Sequence, residues 1–162
     1  MACIFNDFLK KNLRLKNGPI KTLAGEIIGE HQGLPLYTIG QRKGVEIGGR
    51  GPFYVVKKEF KTNALFVTNE AGEKALSAEF LLAENVNWIS GQAPKMPLKC
   101  SAVIRYRQEA ASCAVSRLSG KAAKIFKVSF AKPQRAITPG QSVVFYKGDE
   151  LLGGGVISAA GR

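Results

Sequence analysis

The stretch KCSAVIRYR, residues 99–107, alternates in character along its whole length. Cys100, Ala102, Ile104 and Tyr106 fall on one side, and Lys99, Ser101, Val103, Arg105 and Arg107 on the other. A period of two is the signature of a β-strand with one face toward a core. The segments that follow keep the same habit. Ser112–Leu118 and Lys124–Phe130 read as strands, the latter with Phe126, Val128 and Phe130 on one face. Pro133 breaks pairing, and Thr138-Pro139-Gly140 is a tight-turn signal. Val143–Tyr146 and Leu151–Ile157 pair naturally across Lys147-Gly148-Asp149. Five or six short strands with frequent turns point to a small antiparallel barrel or a sandwich.

Upstream the pattern is mixed. Phe5–Leu15 reads as a short helix, with Ile4, Phe5, Phe8, Leu9 and Leu13 near one face and a stop signal at Asn17-Gly18-Pro19. Short β-rich runs follow at Glu26–Ile28, Leu36–Ile39, Phe53–Val56 and Ala64–Thr68. Ala75–Leu82 fits either a helical turn or irregular packing. A boundary near Ala83–Val86 divides the chain into a small central β-rich domain, residues 1–84, with its helix at about 5–15, and a β domain, residues 85–162. The fold class is therefore mainly β with a short N-terminal helix.

Lys and Arg number 24 against 12 Asp and Glu, a net charge of +12 on 162 residues. A small chain this basic attracts polyanions, and nucleic acid is the foremost of them. No run is long and apolar enough to span a membrane, and the first residues lack the basic-then-apolar pattern of a secretory signal. Three widely spaced cysteines and one histidine form neither a disulfide framework nor a metal set, which suits a reducing cytoplasm. There is no G-x-x-x-x-G-K-[ST] phosphate loop and no nucleophile elbow. His31, between Gly29 and Gly33, reads as a loop-packing residue rather than a base. Gly153-Gly154-Gly155, in a strand-like run, suits close approach of strands better than a phosphate cradle.

Candidate contacts with nucleic acid come from three places. On an extended strand Arg105 and Arg107 project together at about 6–7 Å, close to the phosphate spacing of a nucleic-acid strand, about 6–7 Å. Tyr106 between them is either core or an edge-stacking residue. Gln141, after a Pro-Gly turn, can reach a base edge or a backbone oxygen. The loop Gly40-Gln41-Arg42-Lys43-Gly44 brackets planar and cationic groups with glycines.

Taken together, Gly29-Glu30-His31-Gln32-Gly33, Tyr37-Thr38-Ile39-Gly40-Gln41-Arg42-Lys43-Gly44, Arg105-Tyr106-Arg107-Gln108, Thr138-Pro139-Gly140-Gln141, Val144-Phe145-Tyr146 and Leu152-Gly153-Gly154-Gly155-Val156-Ile157 resemble, in this order, the C-terminal part of the bacterial tRNA-uridine 2-sulfurtransferases. These enzymes, also called tRNA-specific 2-thiouridylases, were formerly described as methylaminomethyl-thiouridylate methyltransferases. The likeness runs from about Phe5 to Ile157. It implies a central domain followed by a C-terminal antiparallel β-barrel that binds tRNA. It also implies an ATP-pyrophosphatase domain outside this chain, using ATP and Mg, that adenylates the wobble uridine, and an upstream protein that donates persulfide sulfur. The resemblance carries tRNA contact onto Arg105, Tyr106 and Gln141, with Arg107 beside them and Gln41, Arg42 and Lys43 as a further contact to tRNA or to the missing domain. Cys3-Ile4-Phe5 is similar to the Cys-Phe-Ile context of the family's persulfide cysteine and makes Cys3 the catalytic candidate, although the family's spacing to the helix is several residues longer. No cofactor, metal or membrane is expected for this part of the enzyme. Alone, it is expected to be inactive. The rival reading is a stand-alone, non-catalytic RNA-binding or adaptor module.

Overall fold

The computed structural model describes residues 2–42, 44–45, 47–48, 52–69, 73–119 and 124–162. The chain divides into two compact units, residues 1–76 and 77–162.

The first unit opens with α1, Ala2–Asn12, which starts and stops earlier than the helix expected over 5–15. Lys10 and Lys11 lie in its last turn, where positive charge complements the helix dipole. The helix ends at Asn12, ahead of the expected stop at Asn17-Gly18-Pro19, where instead a strand begins at Gly18. This strand, β1 (Gly18–Thr22), lies inside a four-stranded sheet between β2 (Ile27–His31), antiparallel to it, and β4 (Ala64–Thr68), parallel to it. β3 (Tyr54–Glu59) pairs with the far side of β4. Pro19 is tolerated because β4 joins only from Ile20 onward, so the missing N–H forfeits no bond on that side. The run 36–39, expected as a strand, is not one. Pro35 sets a single 3-10 turn over Leu34–Leu36, followed by a turn closed by Gln41 N–H donating to the Thr38 carbonyl at 3.0 Å. Ile20, Leu34, Tyr37, Val45, Phe53, Val55, Leu65 and Val67 form this unit's core.

Residues 75–82 resolve into two pieces. A short helix, α2 (Glu73–Leu76), ends where the strand β5 (Ser77–Trp88) begins. β5 is unbroken over 12 residues and pairs with barrel strands on both sides. The division between units therefore falls at Leu76/Ser77 and not at 84/85, where the change to an almost purely β pattern suggests it.

The second unit is the closed antiparallel barrel. Its remaining strands are β6 (Leu98–Val103), β7 (Ala111–Arg117), β8 (Phe126–Arg135), β9 (Ser142–Lys147) and β10 (Glu150–Gly161). They close in the order β10-β5-β8-β7-β6-β9, so the choice between barrel and sandwich resolves to barrel. Alternation fills the interior with Cys113 and Val115, Phe126 and Val128, and Val143 and Phe145. Trp88 stacks on Phe145, ring centroids 5.4 Å apart, and meets Phe126 edge-on at 5.7 Å. Pro133 lies in an irregularity of β8, where pairing with β5 passes from Phe80–Ser129 to Ala78–Gln134 and leaves 130–133 outside that ladder.

Gly153, Gly154 and Gly155 sit where β10 passes closest to its neighbours. A Cβ at Gly153 would collide with the Asn87 carbonyl oxygen. One at Gly154 would lie 2.7 Å from the Val143 oxygen, and one at Gly155 would lie 2.7 Å from the Val86 side chain. Backbone atoms cannot give way there as a side-chain tip can. We expect Gly153→Ala to lower the barrel's stability by about 1–3 kcal/mol, the range for overpacking a tight site, read from urea unfolding followed by circular dichroism.

Candidate nucleic-acid interface

Strand β6 ends at Val103, and Ile104 is the last residue of the alternating run to turn into the core, 4% exposed. The chain then leaves the sheet. Gln108 N–H donates to the Arg105 carbonyl at 3.1 Å, closing a turn, and Arg107 takes a left-handed backbone with φ 63°. Arg105, Tyr106 and Arg107 are thus turn residues. The expectation that the two arginines project side by side from an extended strand is overturned. Continued alternation would have put Tyr106 in the core with Ile104; on the turn it stands 86% exposed.

What replaces the strand is a more specific arrangement. The Arg107 guanidinium carbon lies 5.2 Å from the centroid of the Tyr106 ring, a cation–π contact at the surface. The Arg105 guanidinium reaches the Ala136 carbonyl at 3.2 Å, and the Thr138 hydroxyl donates to the same oxygen at 3.0 Å. Gln108 donates through Nε2 to Gln134 Oε1 at 3.1 Å, and Gln134 Nε2 donates to the Lys132 carbonyl at 2.9 Å. The Arg105–Gln108 turn is therefore fastened at one end to the β8–β9 connection, through Ala136, and at the other to the last residues of β8, through Gln134. The second turn, Thr138-Pro139-Gly140-Gln141, is closed by Gln141 N–H on the Thr138 carbonyl at 3.2 Å. It is stitched to β10 by Gly140 N–H donating to the Ile157 carbonyl and Ile157 N–H donating to the Gln141 carbonyl, both at 2.8 Å. Gly140 has φ 88°, which glycine adopts without a Cβ clash.

The structure thus brings together the turns that carry Arg105, Tyr106, Arg107 and Gln141, through Ala136 and Thr138. Lys132 and Arg135 lie exposed at the end of β8. An open groove of about 600 Å³ borders the first turn, lined among others by Gln108, Ser112, Lys132 and Gln134. Residues 77–162 hold twelve Lys and Arg against five Asp and Glu. An exposed aromatic face flanked by guanidinium groups can stack a base while nearby cations meet phosphates. Gln108 and Thr138 stand in stretches the sequence marks, but nothing local in the sequence shows that Gln134 and the Ala136 carbonyl hold the Arg105–Gln108 turn. Their roles come from hydrogen bonds between residues far apart along the chain.

Gln41 and Arg42 belong to the other unit. The Gln41 side-chain oxygen accepts from Thr38 N–H at 2.9 Å, and its carbonyl accepts from Val55 N–H at 3.0 Å, so this residue secures its own turn to β3. Arg42 is exposed. Lys43 lies outside the described residues. Cys3 has its backbone in the first turn of α1 rather than ahead of the helix. His31 is fully buried. Its Nδ1 accepts from Gly33 N–H at 3.0 Å, which leaves the proton on Nε2 to donate to the Asn63 carbonyl, also 3.0 Å away. Asn63 in turn donates through Nδ2 to the carbonyls of Lys16 and Asn17, so the imidazole is one link in a structural tie. Among the described residues no three His, Cys, Asp or Glu side chains gather as a metal site would require.

Two family descriptions match the chain in succession. Residues 6–69 match the tRNA methyl transferase PRC-barrel domain and residues 78–157 the aminomethyltransferase beta-barrel domain, one in each compact unit. Among curated proteins, the chain is 44% identical to the tRNA-specific 2-thiouridylase MnmA of Marinomonas sp. (strain MWYL1), with 96% of this chain and 40% of the relative covered. It is 46% identical to the protein of the same name from Coxiella burnetii (strain RSA 493 / Nine Mile phase I), with 95% and 43% covered. For that of Burkholderia pseudomallei (strain 668) the identity is 43%, with 96% and 42% covered. The chain spans about two-fifths of the length of these relatives.

The buried tie at His31 has a measurable weight. We expect His31→Ala to destabilise the first unit by about 2–4 kcal/mol, the sum of a cavity and orphaned polar groups, seen as faster amide exchange in β1 and β2.

Proposed function

Because the chain belongs to the tRNA-specific 2-thiouridylase family, we propose that it is the tRNA-binding C-terminal part of an ATP-dependent enzyme that thiolates the wobble uridine of tRNA. The observation that carries this reading is the Tyr106–Arg107 pair, an exposed ring with a guanidinium at its face, on a turn anchored by Arg105 and Gln108. Base stacking on such a ring needs no particular base, and cations beside it meet the backbone. Gln141, on the neighbouring turn, adds a planar hydrogen-bonding group suited to a base edge or a ribose hydroxyl. Arg42 and Lys43 offer a second basic contact, to tRNA or to the catalytic domain.

The sequence has no G-x-x-x-x-G-K-[ST] phosphate loop, which fits a reading in which ATP and Mg²⁺ are held, and the uridine adenylated, by an ATP-pyrophosphatase domain in the part of the relatives outside this chain. The sulfur arrives as a persulfide from a separate donor protein. Cys3 is the candidate to carry it here. The isolated chain is expected to bind tRNA in the cytoplasm without thiolating it.

Two substitutions separate stacking from charge. In fluorescence anisotropy with unmodified tRNA, Tyr106→Ala should weaken binding by about 5- to 100-fold, equivalent to about 1–3 kcal/mol of stacking, with the salt slope unchanged. Arg107→Ala should lower the slope of log K against log salt by about 1. Wild-type affinity and slope in both variants would place RNA contact elsewhere. Thiolation of tRNA by the isolated chain with ATP would overturn the reading that it is inactive without a further domain.

A further inference from the structure

The cysteines of the barrel stand directly opposite one another. In the β6–β7 ladder Leu98 faces Val115, Cys100 faces Cys113 and Ala102 faces Ala111. The two sulfurs are 3.7 Å apart, and both are free thiols. Cα atoms of directly opposed antiparallel residues lie about 4.5–5.5 Å apart, within the separation of about 4.4–6.8 Å that disulfides span. The backbone already has the spacing a bond requires, and only the side chains must turn. The two thiols also differ in access. Cys113 is 7% exposed, at the core, while Cys100 is half-buried on the edge of the same cluster.

We propose that Cys100 and Cys113 form an oxidisable dithiol, a modification site at which a small peroxide converts the pair to a cross-strand disulfide. Cys100 reacts first. The Cys113 thiol, donating to its sulfur, holds Cys100 below the ordinary thiol range, whereas that contact and burial push Cys113 up. The Cys100 thiolate attacks one peroxide oxygen, the O–O bond breaks, and hydroxide leaves and takes up a proton as water, giving a sulfenic acid. The charge that held the Cys113 proton is then gone. Cys113 loses that proton and attacks the Cys100 sulfur, the S–O bond breaks, and hydroxide leaves to become a second water. Two thiols are oxidised by two electrons, one peroxide is reduced, and two waters form. A sulfenic acid beside a second thiol is trapped as a disulfide before it can oxidise further.

The bond would close a ring over residues 100–113, which contains the whole Arg105–Gln108 turn. Oxidation would therefore restrict the base of the loop carrying the proposed RNA contact. That consequence rests on the proposed function, whereas the disulfide itself does not.

The test is to expose the folded, full chain to stoichiometric hydrogen peroxide and digest it with trypsin after blocking free thiols. The expected result is an intact mass lower by about 2 Da, for loss of two hydrogens, with peptides 100–105 and 108–117 joined until a reductant is added. The melting temperature of the oxidised chain should rise by several degrees. Cys100→Ser, which changes only the half-buried partner, should fold, judged by circular dichroism, and yield no linked peptide. Three results would overturn the proposal: Cys100 proceeding to sulfinic acid with Cys113 still alkylatable, linkage found only between separate chains, or no oxidation of either thiol while the chain remains folded. If the linkage forms but oxidised and reduced chains bind tRNA equally, the dithiol stands and only its tie to RNA contact fails.

Discussion

The close passage of β10 against β5 and β9 is the constraint on which the barrel depends. Closing a sheet removes its edges, but it forces backbones together where the ends meet. The residues at that seam are Gly153, Gly154 and Gly155, each with a neighbour's carbonyl or side chain where a Cβ would stand. Further along the same strand, Ile157 exchanges backbone hydrogen bonds with Gly140 and Gln141. The strand that closes the barrel thus also holds the Thr138–Gln141 turn, and through Thr138 and Ala136 it supports Arg105. A missing methyl group at the seam and an oriented guanidinium at the surface belong to one chain of contacts.

Much of the barrel was legible because burial there follows period two. Phe126 and Val128, Val143 and Phe145, and Ala102 and Ile104 point inward as alternation requires. The smaller unit was harder to read. β1 buries one residue, Ile20, and begins with Gly-Pro, a pair that ordinarily signals a break. Its identity as an interior strand comes from partners on both sides, one of them β4, far along the chain. The unit boundary was misplaced for the opposite reason. β5 is long and carries none of the Gly or Pro punctuation that would have marked its start at Ser77.

The candidate surface shows where alternation stops informing. Arg105, Tyr106 and Arg107 were identifiable by residue type, but their geometry was not. Nothing local distinguishes the last inward residue, Ile104, from the first that leaves the sheet. The turn is decided by Arg107 adopting a positive φ and by Gln108 reaching Gln134 in β8. The outcome is a ring turned out to solvent rather than two arginines on a ladder. The surface is better suited to stacking than the strand reading allowed.

Trp88, the chain's single tryptophan, lies in the barrel core between Phe126 and Phe145, and its indole N–H has no hydrogen-bond partner. The single histidine, His31, lies in the other unit with both ring nitrogens engaged. Each unit therefore contains its own intrinsic spectroscopic reporter. An indole packed among phenyl rings emits at short wavelength and shifts to the red only when the barrel opens. The imidazole proton resonances report the first unit alone. Unlabelled protein can in this way reveal whether the two units melt in one transition or in two.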